Sequence, residues 1–71
     1  MNKIWESKLD KKYDIFVESG NDDYHGFLVI RDGEKELLRE ETHLAYGARF
    51  GPDMDDVQRW EERCCLFIDS L

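Results

Sequence analysis

The 71 residues include 17 acidic and 10 basic side chains, for a formal net charge of -7 and a pI near 4.6. A chain of this length builds one core, so a single domain over residues 1–71 is expected. Five Gly and one Pro exclude collagen-like and low-complexity classes, and 41% hydrophobic residues argue against disorder.

The first ten residues carry neither the apolar run of about 7–15 residues nor the small-residue cleavage site of a secretory signal. No stretch reaches the roughly 18 apolar residues of a membrane span. Cys64 and Cys65 are neighbours, whereas bridged Cα atoms usually lie about 5.5 Å apart, so no disulfide framework is expected. A reducing, cytoplasmic location is the matching expectation. The acidic surplus disfavours direct nucleic-acid binding and anionic membrane surfaces. Basic residues gather only at Lys8, Lys11 and Lys12 and at Arg59 and Arg63, each set among acids.

In chain order, residues 3–9 form a candidate strand of poor alternation, ended by turn chemistry at Asp10-Lys11-Lys12. The next segment alternates cleanly. Tyr13, Ile15 and Val17 share one face, and Asp14, Phe16 and Glu18 share the other. Ser19-Gly20-Asn21-Asp22-Asp23 then supplies turn residues before Tyr24. Phe27-Leu28-Val29-Ile30 runs into Asp32-Gly33, the signature of a tight hairpin, with a return strand from residue 35 to about 43. Leu37, Leu38, Leu44 and Ala45 also fit a helical stripe, but without a return strand residues 27–30 would pair with nothing.

Gly51-Pro52-Asp53 stops the preceding structure, with Asp53 as N-cap and Asp56 three residues on. At about 100° per residue, Val57, Trp60, Cys64, Phe67, Ile68 and Leu71 share a face of a helix over residues 54 to about 70. Asp55, Arg59, Glu62, Arg63, Asp69 and Ser70 fall opposite, and Leu66 points away from the apolar stripe. The fold class is therefore α+β: a small antiparallel β-meander of three to four strands, packed against one carboxyl-terminal amphipathic helix with Trp60 in the core.

Chemistry finds little foothold. Cys64, Cys65, His25 and His43 are the soft metal ligands, but zinc sites separate paired cysteines by about two to four residues. Cys64 reads better as a small buried hydrophobe. Asn21-Asp22-Asp23 and Asp53-Met54-Asp55-Asp56 lack the central Gly and terminal Glu of a calcium loop. No metal and no cofactor is expected. Ser7, Ser19, Thr42, Ser70 and the cysteines, with His25 and His43 as bases, form no catalytic motif, so the chain is read as non-enzymatic. Gly47, Arg49 and Gly51 outline a candidate ligand loop ahead of the helix. It lacks a Gly-Lys-Ser/Thr ending, Pro52 has no N–H, and acids already occupy the helix N-terminus. A packed connection is preferred, with Phe50 over the core edge and Arg49 paired to a carboxylate.

Phe16, Phe27 and Val29 mark the candidate partner surface. They face away from Ile15, Val17, Leu28 and Ile30, and one helix cannot cover both faces of a sheet. Either the amino-terminal residues around Ile4 and Trp5 cover them, or another molecule does. The expected function is a protein–protein interaction or regulatory module, acting on a protein partner or through self-association as a homodimer. The alternative is an acidic inhibitor that mimics nucleic acid before a basic partner. Alternation of sign in Glu34-Lys35-Glu36 and Arg39-Glu40-Glu41 speaks against such a mimic. A small ligand at residues 47–56 is the third reading.

Overall fold

The structure, a computed structural model, describes residues 3–7 and 11–71. Its elements are β1 (Lys3–Ser7), β2 (Asp14–Ser19), β3 (His25–Asp32), β4 (Lys35–His43) and α1 (Met54–Asp69). The strands form one antiparallel sheet in the order β1-β2-β3-β4, each beside its sequence neighbour. This is the α+β meander with one helix that alternation and helical spacing predict. The extended reading of residues 35 to about 43 is the one found. The remainder of the 3–9 strand reading and the first turn residue, at positions 8–10, lie outside the described residues.

Local chemistry explains the hairpins. Asp32 pairs with Lys35, which leaves Gly33 and Glu34 as a two-residue loop. Gly33 adopts φ 62°, and no residue other than glycine has positive φ among the described residues. A left-handed first position is the demand of a type II′ turn, which only Gly meets without strain. At Gly26, opposite Ser19, an added Cβ would sit 2.6 Å from the Glu18 carbonyl oxygen. A side chain there would force β2 and β3 apart.

Two irregularities place adjacent apolar residues on one face. The β1–β2 register shifts between Lys3 and Trp5, and the β3–β4 register shifts where Ile30 and Arg31 pair with Leu38 and Glu36. Ile4 with Trp5, and Leu37 with Leu38, therefore all pack on the same core. An extra residue in one strand breaks the period of two, which lets both neighbours point inward.

The core consists of Ile15, Val17, Leu28, Ile30 and Leu44 from the sheet side, with Trp60 and Cys64 from α1. Trp60 is 1% exposed. Its ring lies 5.4 Å from that of Trp5, and its Nε1 donates to Thr42 Oγ1 at 2.7 Å. Arg63 forks onto Glu40, with Nε and Nη2 donating at 3.1 and 2.9 Å, and Arg59 donates to the His43 carbonyl at 2.7 Å. These two arginines stay partly exposed, but their heads bend back to the sheet instead of standing free on the outer face the helical wheel gives them. Their long stems flank the apolar stripe and bind β4, where Glu40 and the β4 backbone offer acceptors. Leu71 also departs from the expected stripe: it lies past the Ser70 cap and is exposed. No helix among the described residues is long and apolar enough to cross a membrane.

The amino terminus of α1 is closed by a reciprocal cap. Asp56 N donates to Asp53 Oδ1 at 2.8 Å, and Asp53 N approaches Asp56 Oδ2 at 3.5 Å. Asp56 is only 1% exposed and also accepts from Ala45 N at 3.4 Å and Arg59 Nη2 at 3.0 Å. Three donors, from Ala45, Asp53 and Arg59, thus converge on one buried carboxylate, and all three would lose their acceptor together.

Trp60→Ala should unfold the domain or nearly so. Removing a buried Trp costs about 3–5 kcal/mol, comparable with the roughly 3–5 kcal/mol a core of this size supplies. A cooperative melt within a few degrees of wild type would contradict that placement. Asp56→Ala should cost about 1–3 kcal/mol, and Asp56→Asn less, because the amide keeps one acceptor oxygen. Urea midpoints of the two variants, measured side by side, check the order.

Candidate interaction surface

Strand alternation places Phe16, Phe27 and Val29 on the face opposite α1, as expected. That face is not left open. Val29 is fully buried and Phe16 is 9% exposed, while Phe27 is half-buried. Ile4 and Trp5, one of the two expected covers, pack against the α1-side core instead. Charged neighbours lie over the aromatics: Lys3 Nζ sits 4.8 Å from the Phe16 ring centre, and the Arg39 guanidinium 5.5 Å from that of Phe27. Arg39 stands opposite Val29 and donates to Glu18 at 2.6 Å and Glu36 at 2.9 Å. The carboxylates hold the guanidinium in place and raise its pKa further above its ordinary value, the Glu18 bond most. Long cationic side chains cover apolar surface with their stems while the heads stay wet.

The connection from β4 to α1 takes a different form from the one expected. Leu44 N donates to the Tyr24 carbonyl at 2.8 Å, and Ala48 N to the Asp23 carbonyl at 2.6 Å. The loop is thereby tied to the β2–β3 turn at one end and to Asp56 at the other. Gly47 and Gly51 are both left-handed, at φ 85° and 80°. Between them the chain turns Phe50 outward, to 82% exposure, so it does not cover the core edge. Arg49 is exposed and has no hydrogen bond or ion pair among the described residues, contrary to the expected carboxylate pairing.

This loop opens a continuous surface. An open groove of about 530 Å³ is lined by Tyr24, Tyr46 and Phe50 together with Ala45, Gly51, Pro52 and Asp53. Through Pro52 and Asp53 it passes into a second depression bounded by Met54, Val57, Gln58 and Glu61. Through Gln58 and Glu61 that one reaches a third, bounded by Glu62, Cys65 and Leu66. Met54 and Leu66 stand 87% and 68% exposed along this track. None of the described residues lining it is Lys or Arg, whereas Asp53, Glu61 and Glu62 are acidic. Of the three candidate loop residues, Gly51 lines the track and Gly47 and Arg49 do not. Tyr24, Tyr46 and Met54 were not singled out by the sequence. Leu66 was visible only as an apolar residue off the helical stripe.

Several of the other candidate groups are engaged in structure. Thr42 accepts from Trp60, and Ser70 Oγ donates to the Phe67 carbonyl at 2.7 Å. His25 Nδ1 lies 2.9 Å from Asp22 Oδ1. That contact holds the Asp22 carboxyl below the usual carboxylate range, with the Tyr24 N–H adding to the effect. His25 and His43 meet edge-on at 5.5 Å on the face away from α1, while Cys64 is buried on the opposite side of the sheet. The sheet therefore divides the four soft ligands. Among the described residues no three His, Cys, Asp or Glu gather as a metal site. No family model, curated protein or solved structure matches this chain.

The two cysteines differ in environment. Cys64 is buried and Cys65 is exposed on the track. Burial, with Cys65 beside it, pushes the Cys64 thiol from an ordinary 9.0 up to about 11. The thiolate is the reactive form, so the folded protein should accept one alkyl group at about pH 8.5 and the denatured protein two. Intact mass after iodoacetamide treatment checks this. Because the folded pKa is the higher one, Cys64 favours folding below pH 9 and that contribution fades between pH 9 and about 11.

Proposed function

We propose that this chain is a non-enzymatic protein-binding module whose partner seats on the track between Tyr24 and Leu66. One observation carries the reading: exposed apolar side chains gather on one continuous surface held by a tied loop and a capped helix. An apolar centre with a polar rim is the anatomy of a binding surface, and a rigid mount lowers the ordering cost of association. The face bearing Phe16, Phe27 and Val29 supports the reading less, because two of the three are buried within the chain. Engaged hydroxyls and a raised Cys64 pKa favour binding over catalysis.

A nucleic-acid mimic is favoured less. It needs rows of unneutralised carboxylates, yet Glu18, Glu36, Glu40 and Asp56 each bind an arginine. The test compares capture of proteins from native cell extract by wild type, by Phe50→Ser with Leu66→Ser, and by Phe27→Ser. Phe50 and Leu66 are exposed, so each of their substitutions should shift stability by no more than about 0.5 kcal/mol, while half-buried Phe27 should cost more; the melting curve of each variant is recorded beside its capture. The double variant should lose what wild type captures, and Phe27→Ser should keep it. The reverse pattern would move the partner to the far face of the sheet.

A further inference from the structure

We infer that the track receives a cationic amphipathic segment of another polypeptide, its apolar side chains against Phe50, Met54 and Leu66 and its Lys or Arg side chains over Asp53, Glu61 and Glu62. The inference rests on the protein-binding reading above and names the chemistry of the partner. Its ground is charge. Acids and exposed apolar groups line the track, and no described lining residue is basic. The cations nearest in sequence are committed elsewhere or stand outside it. Arg59 binds Asp56 and the His43 carbonyl, Arg63 binds Glu40, and Arg49 lies off the lining.

A cation entering this surface meets no like charge from the described lining and comes beside three aromatic rings, Tyr24, Tyr46 and Phe50, a residue type whose ring face attracts cations. The net charge of -7 draws the same partner from a distance. A second copy of the chain is the wrong occupant. A two-fold contact sets a patch against itself, so Asp53, Glu61 and Glu62 would meet a lining that offers no Lys or Arg among the described residues to neutralise them.

Length sets the scale of the segment. From Met54 to Leu66 the helix rises about 18 Å at about 1.5 Å per residue, so a docked helix needs roughly 12–14 residues. Fluorescence anisotropy with three labelled synthetic peptides of about that length decides the matter. One carries Lys and Leu at helical spacing, one replaces each Lys with Glu, and one replaces each Leu with Ser.

The Lys/Leu peptide should bind one to one, and the Glu/Leu and Lys/Ser peptides at least about tenfold more weakly. Glu61→Gln with Glu62→Gln should weaken the Lys/Leu peptide by roughly three- to tenfold at low salt, and the difference should shrink as salt rises. Phe50→Ser with Leu66→Ser should weaken it by at least about tenfold. Three results overturn the inference: equal binding of the Lys/Ser peptide, no change on neutralising Glu61 and Glu62, or equal binding of the Glu/Leu peptide. If the third appears and Phe50→Ser with Leu66→Ser abolishes binding of both Leu-bearing peptides, the docking surface stands and only its charge preference falls. The same holds if sedimentation shows a wild-type dimer that this double variant dissociates. If the double variant changes nothing in any assay, the surface itself is refuted.

Discussion

A four-stranded sheet has two faces, and this chain has one helix to set against them. Everything else follows from how that mismatch is resolved. Trp60 resolves it on the helix side, its ring against Trp5 and its N–H on Thr42. The indole therefore links the first strand, the last strand and the helix through a single side chain. On the opposite side, Val29 disappears beneath its neighbours, and Lys3 and Arg39 lie over the two phenylalanine rings. A salt-bridged guanidinium substitutes for a second helix. Such a cover needs no extra chain length, and it keeps the surface soluble while its carbon stem shields apolar atoms.

Asp56 extends the same economy to the loop. A carboxylate so thoroughly buried is costly unless its acceptors are filled, and here they serve the cap, the loop backbone and Arg59 together. The loop that presents Tyr46 and Phe50 is thus tied to the helix that presents Met54 and Leu66. Groups that would otherwise move independently keep fixed relative positions, and the interaction surface inherits its rigidity from a helix cap.

The architecture was legible because periodicity carried it. Period-two alternation in residues 13–18, the Asp32-Gly33 turn and the Asp53 cap each have a local physical cause, and each appears where that cause puts it. The blurred regions also have a cause. Ile4-Trp5 and Leu37-Leu38 break alternation because bulges turn both members of each pair inward, and a strict period of two cannot express that. Asp56 takes the place three residues after the Asp53 cap that the spacing predicts, but its burial is legible only by helical phase, which sets it about 40° from Trp60 and so within the core sector. The track was least legible. Phe50 looked like a core residue by type, and only the left-handed turns at Gly47 and Gly51 send it outward. Residue type alone does not encode that direction.

The sheet order has a kinetic meaning. Every strand pairs with the strand before or after it in sequence, so no early pairing must wait for a distant segment to arrive. Loop closure is cheap for turns of two to several residues, and topologies built from neighbouring contacts fold faster than those built from remote ones. The long-range links join helix to sheet, with Trp60 reaching back 18 residues to Thr42 in the last strand and farther still to Trp5 in the first. A meander of hairpins can therefore assemble by accretion, each new strand adding to an edge already formed. The helix then closes over a sheet whose registry exists before it docks, and little time is spent with an apolar edge exposed to other chains.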